Sequence, residues 1–398
     1  MAHPQTYIWQ HAKWPEFTFN HEKVGPAIAA ARRLQGEVEG KAGAIGIDRK
    51  GEVAADVLAQ EAIATAAIEG EKLDPAAVRS SVLRHLGLAD TGPHDRHVDG
   101  LVQVISDAGT AFQQPLDHDR LYRWQSALFP GGTSGITRIA VGQYRDHADP
   151  MQIVSGQFGK EKVHYEAPPS SRVPTEMNGF LEWFAGTTPA PGQPPKIDGL
   201  ARAAIAHMWF ESIHPFEDGN GRIGRAIVDM AIAQDQGSPL RLYSLSRQLL
   251  ESRAAYYDAL NHAQRGTGDV TEWVEWFARQ ISGACMRSSE VIDRAIEKSR
   301  FWASHAAITL NERQRKVLQR LLDDGDGGFL GGLNAEKYMK ITGASKATAT
   351  RDLSAMLTER LLWTRGQGKS LRYFINVPGW AHGGATEGGQ PRPERPEG

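Results

Sequence analysis

The stretch Ile213-His214-Pro215-Phe216-Glu217-Asp218-Gly219-Asn220-Gly221-Arg222-Ile223-Gly224-Arg225 decides how this chain is read. One helical pattern, Leu200 to Glu211, runs into it, and another, Arg225 to Ala233, runs out of it. A glycine-rich loop that opens a helix is a ready anion site, because free backbone N–H groups and the helix dipole both point at the ligand. Gly219 and Gly221 let the backbone approach closely, and Asn220 between them tolerates an unusual conformation. Arg222 and Arg225 are three apart on one helix face, so both can reach one ligand and offer paired donors to phosphate. Asp218 beside the loop suits Mg²⁺, a hard cation that prefers oxygen ligands and phosphate bridges. His214, with an ordinary pKa of about 6.5, can accept a proton from a hydroxyl at physiological pH. Phe216 is expected to point into the core and fix the loop. Together these residues read as a polyphosphate cradle with a base beside it.

The same stretch excludes two other sites. It lacks the G-K-[ST] ending of a Walker A loop. The dispersed histidines do not converge as zinc ligands would. His207 and His214 are seven apart and could share a face, but His207 reads as a core or cap histidine.

At 398 residues the chain has room for two or three domains. Its formal net charge of −2 gives no global field for nucleic acid or membrane, so any such patch must be local. Cys285 is the single cysteine, which excludes intrachain disulfides and Cys-based zinc sites and fits a reducing compartment. The N-terminus lacks a basic segment followed by an apolar run, and no apolar run approaches the roughly 20 residues that span a bilayer. A soluble, cytoplasmic protein without membrane contact is expected.

Working outward, residues 6 to 20 carry Tyr7, Trp9, Trp14, Phe17 and Phe19, an aromatic arm expected to pack on a core. Helices are expected near 23–38, 52–69, 74–86, 98–112, 117–128, 174–186 and 198–212. The helix ending Thr65-Ala66-Ala67-Ile68-Glu69-Gly70 places Thr65 and Glu69 on one face, with Gly70 as the stop. A carboxylate at a helix C-terminus is opposed by the dipole, so Glu69 either finds a cation or is simply solvated. Residues 88–96 read as a loop. Between 138 and 165, short β-branched runs punctuated by glycine predict a β-hairpin lying over a site. After the central motif, helices are expected over 251–264 and 270–303.

Beyond residue 304 the texture changes. A helix over 311–322, helix–turn–helix over 335–353 and a basic hairpin over 361–375 have the sequence shape of a winged helix. Lys346, Thr348, Thr350 and Arg351 could face phosphates or bases; the plainer reading is a protein-contact or dimerisation module. The tail, 379–398, is Gly, Pro, Glu and Arg with little to bury and is expected to be disordered. The expected division is an N-terminal arm and helical region over 1–109, a central core over 110–304, a winged helix over 305–378 and the tail.

His214 to Arg225 matches H-x-F-x-[DE]-G-N-G-R-x-x-R at every defined position, and on it the chain resembles the Fic/DOC family. That resemblance implies a mainly α fold with a β-hairpin flap, and transfer of AMP from ATP to a Tyr, Thr or Ser hydroxyl of a target protein or of the chain itself. It implies that His214 is the general base and Asp218 the Mg²⁺ ligand. It further implies that the run from Asp218 through Gly219, Asn220, Gly221, Arg222, Ile223, Gly224 and Arg225 binds the nucleotide. Val154, Ser155 and Gly156 resemble the flap that aligns the target, and Tyr257 and Gln264 fall where relatives contact adenine. Thr65 to Gly70 is similar to the family's inhibitory motif, [ST]-x-x-x-E-[GN], which pairs Glu69 with Arg225 and blocks a productive γ-phosphate. In some relatives this glutamate also positions water for removing AMP. UMP and phosphocholine transfer remain open from the motif alone; a phosphotransferase branch does not fit Gly221. The alternative is a DNA-binding regulator that uses the pocket as a nucleotide sensor. The oligomeric state is left open, a homodimer included.

Overall fold

The computed structural model describes residues 6–44, 47–87, 92–155, 162–190, 192–239, 242–325 and 331–380. Gly156, the 88–91 part of the expected loop and the tail beyond residue 380 lie outside them. Fourteen helices carry the described structure: α1 His21–Ala44, α2 Ile47–Ile68, α3 Pro75–His85, α4 Arg96–Thr110, α5 His118–Leu128, α6 Val173–Gly186, α7 Gly199–Ile213 and α8 Asn220–Gln236, then α9 Leu245–Glu251, α10 Arg253–Gln264, α11 Thr271–Ser304, α12 Glu312–Asp324, α13 Ala335–Thr342 and α14 Lys346–Thr358. Three two-stranded antiparallel hairpins complete it: β1 Thr133–Ser134 with β2 Thr137–Arg138, β3 Gln152–Ser155 with β4 Lys162–Glu166, and β5 Leu362–Arg365 with β6 Arg372–Ile375. The fold is mainly α, as the periodicities predict. No described helix is long and apolar enough to cross a membrane.

The chain divides into two compact units, Met1–Glu290 and Val291–Gly398. In the first, α7 is the central element. Every one of its residues is buried, the polar Arg202, His207, Glu211 and Ser212 included, so the helix is enclosed on all sides. Asp198 starts it, accepting from the backbone of Leu200 at 2.8 Å. The aromatic arm packs against it as expected: Trp14 and Phe17 meet the Trp209 ring edge-on, and Trp14 Nε1 donates to Glu176 at 2.7 Å.

α2 is pinned upstream of its C-terminus. Glu61 is fully buried and accepts from Ser244 Oγ at 2.6 Å and from the Ser246 backbone at 3.2 Å, which ties the helix to the start of α9. In the second unit, α12, α13, α14 and the β5–β6 hairpin close over Val317, Leu318, Leu322, Tyr338, Leu353 and Ile375. Asp352 is buried there because Arg313 and the Tyr338 hydroxyl satisfy it, at 3.0 and 2.8 Å.

Candidate active site

The turn that carries His214 is strained and stapled. α7 ends at Ile213, and His214 adopts a left-handed backbone, φ 49°, which a non-glycine residue holds only where its surroundings impose it. Arg145 imposes it. This side chain is buried; its Nε donates to the His214 carbonyl at 2.8 Å and its Nη2 to the carbonyls of Pro168 at 2.6 Å and Ile213 at 3.3 Å. Its own backbone N–H donates to Pro215 at 2.9 Å. Burial lowers its pKa to about 10, still charged at neutral pH. Arg145→Met is expected to lower stability by about 3 kcal/mol, because it leaves buried carbonyls unpaired. A urea midpoint that falls without a change in slope is the measurement.

Below the turn the loop is built for backbone donors. Phe216 is fully buried, and Asn220 holds it from both sides, accepting from its N–H at 2.9 Å and donating to its carbonyl at 2.8 Å. Asn220 therefore shapes the loop. Gly219 has φ 91°, and a Cβ there would meet the Phe129 ring at 3.0 Å, so the position needs glycine for both conformation and space. α8 begins at Asn220, so the first N–H groups of a helix face the cleft.

His214 is largely enclosed, and its Nδ1 has no hydrogen-bond partner. Burial, helped by the charge of Arg145, pushes its pKa down to about 4, so the imidazole is neutral at pH 7. Asp218 is half-exposed. It accepts from the Gly219 N–H at 2.5 Å and from the Ser134 hydroxyl, and lies 3.4 Å from Arg222 Nη2. A single open carboxylate beside a phosphate loop fits Mg²⁺, which uses one or two carboxylates plus substrate phosphates. Among the described residues no cluster of three or more His, Cys, Asp or Glu offers a stand-alone metal cage.

Both motif arginines are already paired. Arg225 is buried and donates from Nη2 to Glu69 at 2.7 Å, and to Thr65 from Nε to the hydroxyl at 2.6 Å and from Nη2 to the carbonyl at 3.0 Å. Burial opposes its charge, but the Glu69 carboxylate more than restores it and holds the pKa above its ordinary value. Arg222 donates to Glu71 at 2.8 Å and stacks over the Phe129 ring, 4.9 Å from its centroid. The Glu69 carboxylate also covers the loop: a Cβ on Gly221 would lie 2.2 Å from its Oε1. Beside it a cavity of about 260 Å³ with a mixed lining opens between Glu71, His97, Leu101, Phe129, Ser134 and Arg222.

The structure brings Thr65, Glu69, Gly221 and Arg225 together across more than 150 residues of sequence. Gly70, φ 85°, ends α2 in the left-handed conformation its glycine allows. Tyr257 is half-buried next to this group, its hydroxyl 3.4 Å from the Ile68 carbonyl. Gln264 is buried, with Nε2 unpartnered. Val154 is exposed on β3, which also carries Ser155. Ile223 is fully buried, and Gly224 leaves space for Glu211 and His207. His207 is a core histidine, bonded at 2.8 Å to the Tyr256 hydroxyl and pushed down to about 3 by burial and by Arg225.

Sequence reasoning missed Glu71, Ser134, Arg145 and Glu211. Glu71 carried a signal, since two carboxylates flanking the Gly70 stop match two arginines in number. A buried arginine such as Arg145 has no local sequence mark.

Residues 115–232 match the Fic/DOC family, and residues 7–88 match a family described as a domain of unknown function, DUF4172. The chain is 34% identical over 136 residues to protein adenylyltransferase fic-1 of Caenorhabditis elegans, covering 34% of this chain and 23% of that protein. It is 29% identical over 108 residues to a probable protein adenylyltransferase of Aquifex aeolicus, covering 27% and 29%. It is 29% identical over 134 residues to protein adenylyltransferase Fic of Nematostella vectensis, covering 33% and 28%. The chain thus spans less than a third of the length of these curated relatives. A solved Fic family protein from Desulfovibrio desulfuricans aligns over 92% of this chain and 99% of its own, with a TM-score of 0.49 at 20% identity. The motif geometry and the family match agree: the stretch that matches the Fic/DOC family, residues 115–232, contains the whole His214–Arg225 motif.

Proposed function

We propose that this chain is a protein adenylyltransferase: it transfers AMP from ATP to a hydroxyl side chain of a target protein or of itself, and Glu69 holds it inactive. The observation that carries this reading is an anion already seated in the cradle: the Glu69 carboxylate lies over Gly221, on Arg225 and near a neutral His214. The names of the relatives support the same activity.

In this reading His214 Nε2 takes the proton of the attacking hydroxyl. The hydroxyl oxygen bonds to the α-phosphorus as the bond from that phosphorus to the bridging oxygen of the β-phosphate breaks, and pyrophosphate leaves. The N–H groups at the start of α8 and the guanidinium of Arg222 stabilise the phosphate charge, with no reorganisation at the moment of reaction. Asp218, oriented by Ser134, would hold Mg²⁺, which when bound neutralises phosphate charge. Val154 on the exposed edge of β3 offers backbone and side chain to an extended target segment.

The test uses Glu69→Gly with ATP labelled on either the α- or the γ-phosphate. Only the α label is expected on protein, and more from ATP than from UTP. A γ label on protein would replace this reading with phosphoryl transfer. Loss of label from modified protein on adding wild-type chain would add AMP removal, with Glu69 placing the water.

A second role rests on the second unit. The exposed face of α14 presents Lys346, Ala347, Thr350, Arg351 and Ser354 without a carboxylate, and the whole β5–β6 hairpin, 362–376, contains no acidic residue. A winged helix reading DNA through α14 would use this face. The full chain should then retard duplex DNA with an affinity that falls linearly in log–log against salt, and Arg351→Ala should reduce that slope by about one. Retardation that ignores salt would remove this role.

A further inference from the structure

Behind the motif, α7 and the residue that caps it bring three titratable side chains together: His207 and Glu211, buried on the helix, and the largely enclosed His214 just past its end. Glu211 belongs to no motif position. Its carboxyl is enclosed, its Oε1 has no hydrogen-bond partner, and its Oε2 lies 3.7 Å from the equally unpartnered Nδ1 of His214. Gly224 makes the space for it, since a Cβ there would stand 2.5 Å from Oε1. Nδ1 of His214 and Oε1 of Glu211 are both left without a partner in a buried site, with the other carboxyl oxygen, Oε2, facing Nδ1, and such atoms call for an explanation because each carries the desolvation cost of a missing bond.

We infer that the Glu211 carboxylate is the positioning partner of His214: ionised, it accepts the Nδ1 proton and so leaves Nε2 as the free acceptor. The imidazole has one proton for two nitrogens, and the group facing Nδ1 decides which nitrogen is free. A small rotation of either side chain closes the gap to hydrogen-bond length. When Nε2 gains the hydroxyl proton, the facing carboxylate stabilises the imidazolium, as a buried acid does for a hydrolase histidine.

The surroundings link this dyad to Glu69. The charged and titratable groups facing it are His207 on α7 itself, Arg225 and Asp218 from the motif, Arg145 from the stapling loop, Tyr256 on α10 and Glu69 on α2. Burial, and then the Glu69 charge, push Glu211 up to about 8, while Arg225 pulls it down. Burial, the largest of these causes, stays when Glu69 leaves, but the second is lost and Arg225 then pulls Glu211 toward its ionised form unopposed. Glu69 thereby restrains the base as well as the cradle. The backbone carbonyl of Glu211 also faces Nδ1, and it is the rival for the same role.

This inference rests on the transferase reading, so its test has a readout that needs no turnover. In the full chain, ring-¹⁵N-labelled histidine reports the His214 tautomer, assigned by its loss in His214→Ala, and ¹³C-carboxyl-labelled glutamate reports Glu211. In Glu69→Gly, the Nδ1–H tautomer should grow in step with Glu211 ionisation. In Glu69→Gly with Glu211→Gln, it should lose that pH dependence. In activity, the added Gln should lower kcat roughly tenfold or more with the KM for ATP within about twofold, and move the acidic limb to lower pH. If Gln does not fold, the joint titration in Glu69→Gly alone decides. A tautomer that stays fixed while Glu211 titrates would assign Nδ1 to the backbone carbonyl and overturn the inference. A Glu69→Gly chain that transfers nothing, yet shows the joint titration, would overturn the transferase reading and leave the dyad standing.

Discussion

Glu69→Gly is expected to raise AMP transfer by about 10- to 1,000-fold, the range that a buried charge pair commands when one partner is exchanged for another. Arg225 is the reason. It is buried, so its guanidinium needs an anion, and in the resting chain that anion is Glu69. In the proposed reading, ATP displaces it to place a phosphate on the same cation. Removing the carboxylate frees both Arg225 and the space above Gly221. It also leaves the cation without a hydrogen-bonded anion, since Thr65 supplies only neutral acceptors. The variant should therefore melt lower than wild type in the absence of nucleotide, by several degrees if the loss approaches the 3–5 kcal/mol of a broken buried pair. ATP with Mg²⁺ should restore more of that stability in the variant than in wild type, because a ligand stabilises the folded state by its affinity. Equal labelling, together with equal thermal shifts on adding ATP, would show that Glu69 does not compete with the phosphate.

His214→Ala in the Glu69→Gly background is expected to lower transfer by about 10²- to 10⁴-fold, the usual contribution of a positioned base, while ATP binding persists. The same variant has a signature away from activity. His207 and His214 are held near 3 and 4 when folded and return to about 6.5 when unfolded. Between pH 6.5 and 4 the unfolded chain thus takes up protons at both sites that the folded chain refuses, and stability falls as pH falls. Glu211 acts in the opposite direction. Its raised pKa of about 8 keeps a proton on the folded chain that the unfolded chain releases above its ordinary value of 4.5. Over that window the histidines outweigh it by about one proton. His214→Ala should flatten the acid slope by about one proton, read from denaturation midpoints between pH 6.5 and 4.5. An unchanged slope would mean that His214 is not held neutral by its surroundings.

The helices were legible because their signals are local. Asp74-Pro75 and Asp198 start helices as their chemistry demands, and Gly70 and Gly237 end them with positive φ. The pairing of Glu69 with Arg225 was reached through a family motif; from the helix alone, a solvated surface glutamate was the favoured reading. Two boundaries moved for physical reasons. The helix expected to begin at Arg225 starts at Asn220, because the glycine-flanked loop forms the helix's own first turn. The helix expected to begin at Glu251 is preceded by a separate one from Leu245, which Ser244 caps. Arg145, Glu71, Ser134 and Glu211 were out of reach, since each acts on a residue brought close only by folding. Arg145 reaches the 213–215 turn across about 70 residues, and its partners are backbone carbonyls that no side-chain pattern marks.

In the proposed autoinhibited reading, the anchoring of α2 through Glu61 sets how much of the molecule must move for Glu69 to leave the cradle. Glu61 and Glu69 are two helical turns apart, about 12 Å. The upstream point is fixed in the interior by two serines, while Glu69 sits at the fraying end, partly exposed and just before a glycine. Release can then be a local melting of the last turn, residues 65–70, with the rest of the helix left docked. Such an opening draws on a small part of the global stability and reseals quickly. On that reading the brake is a hinge one helical turn long, and a partner or nucleotide would need only enough binding energy to unwind that turn.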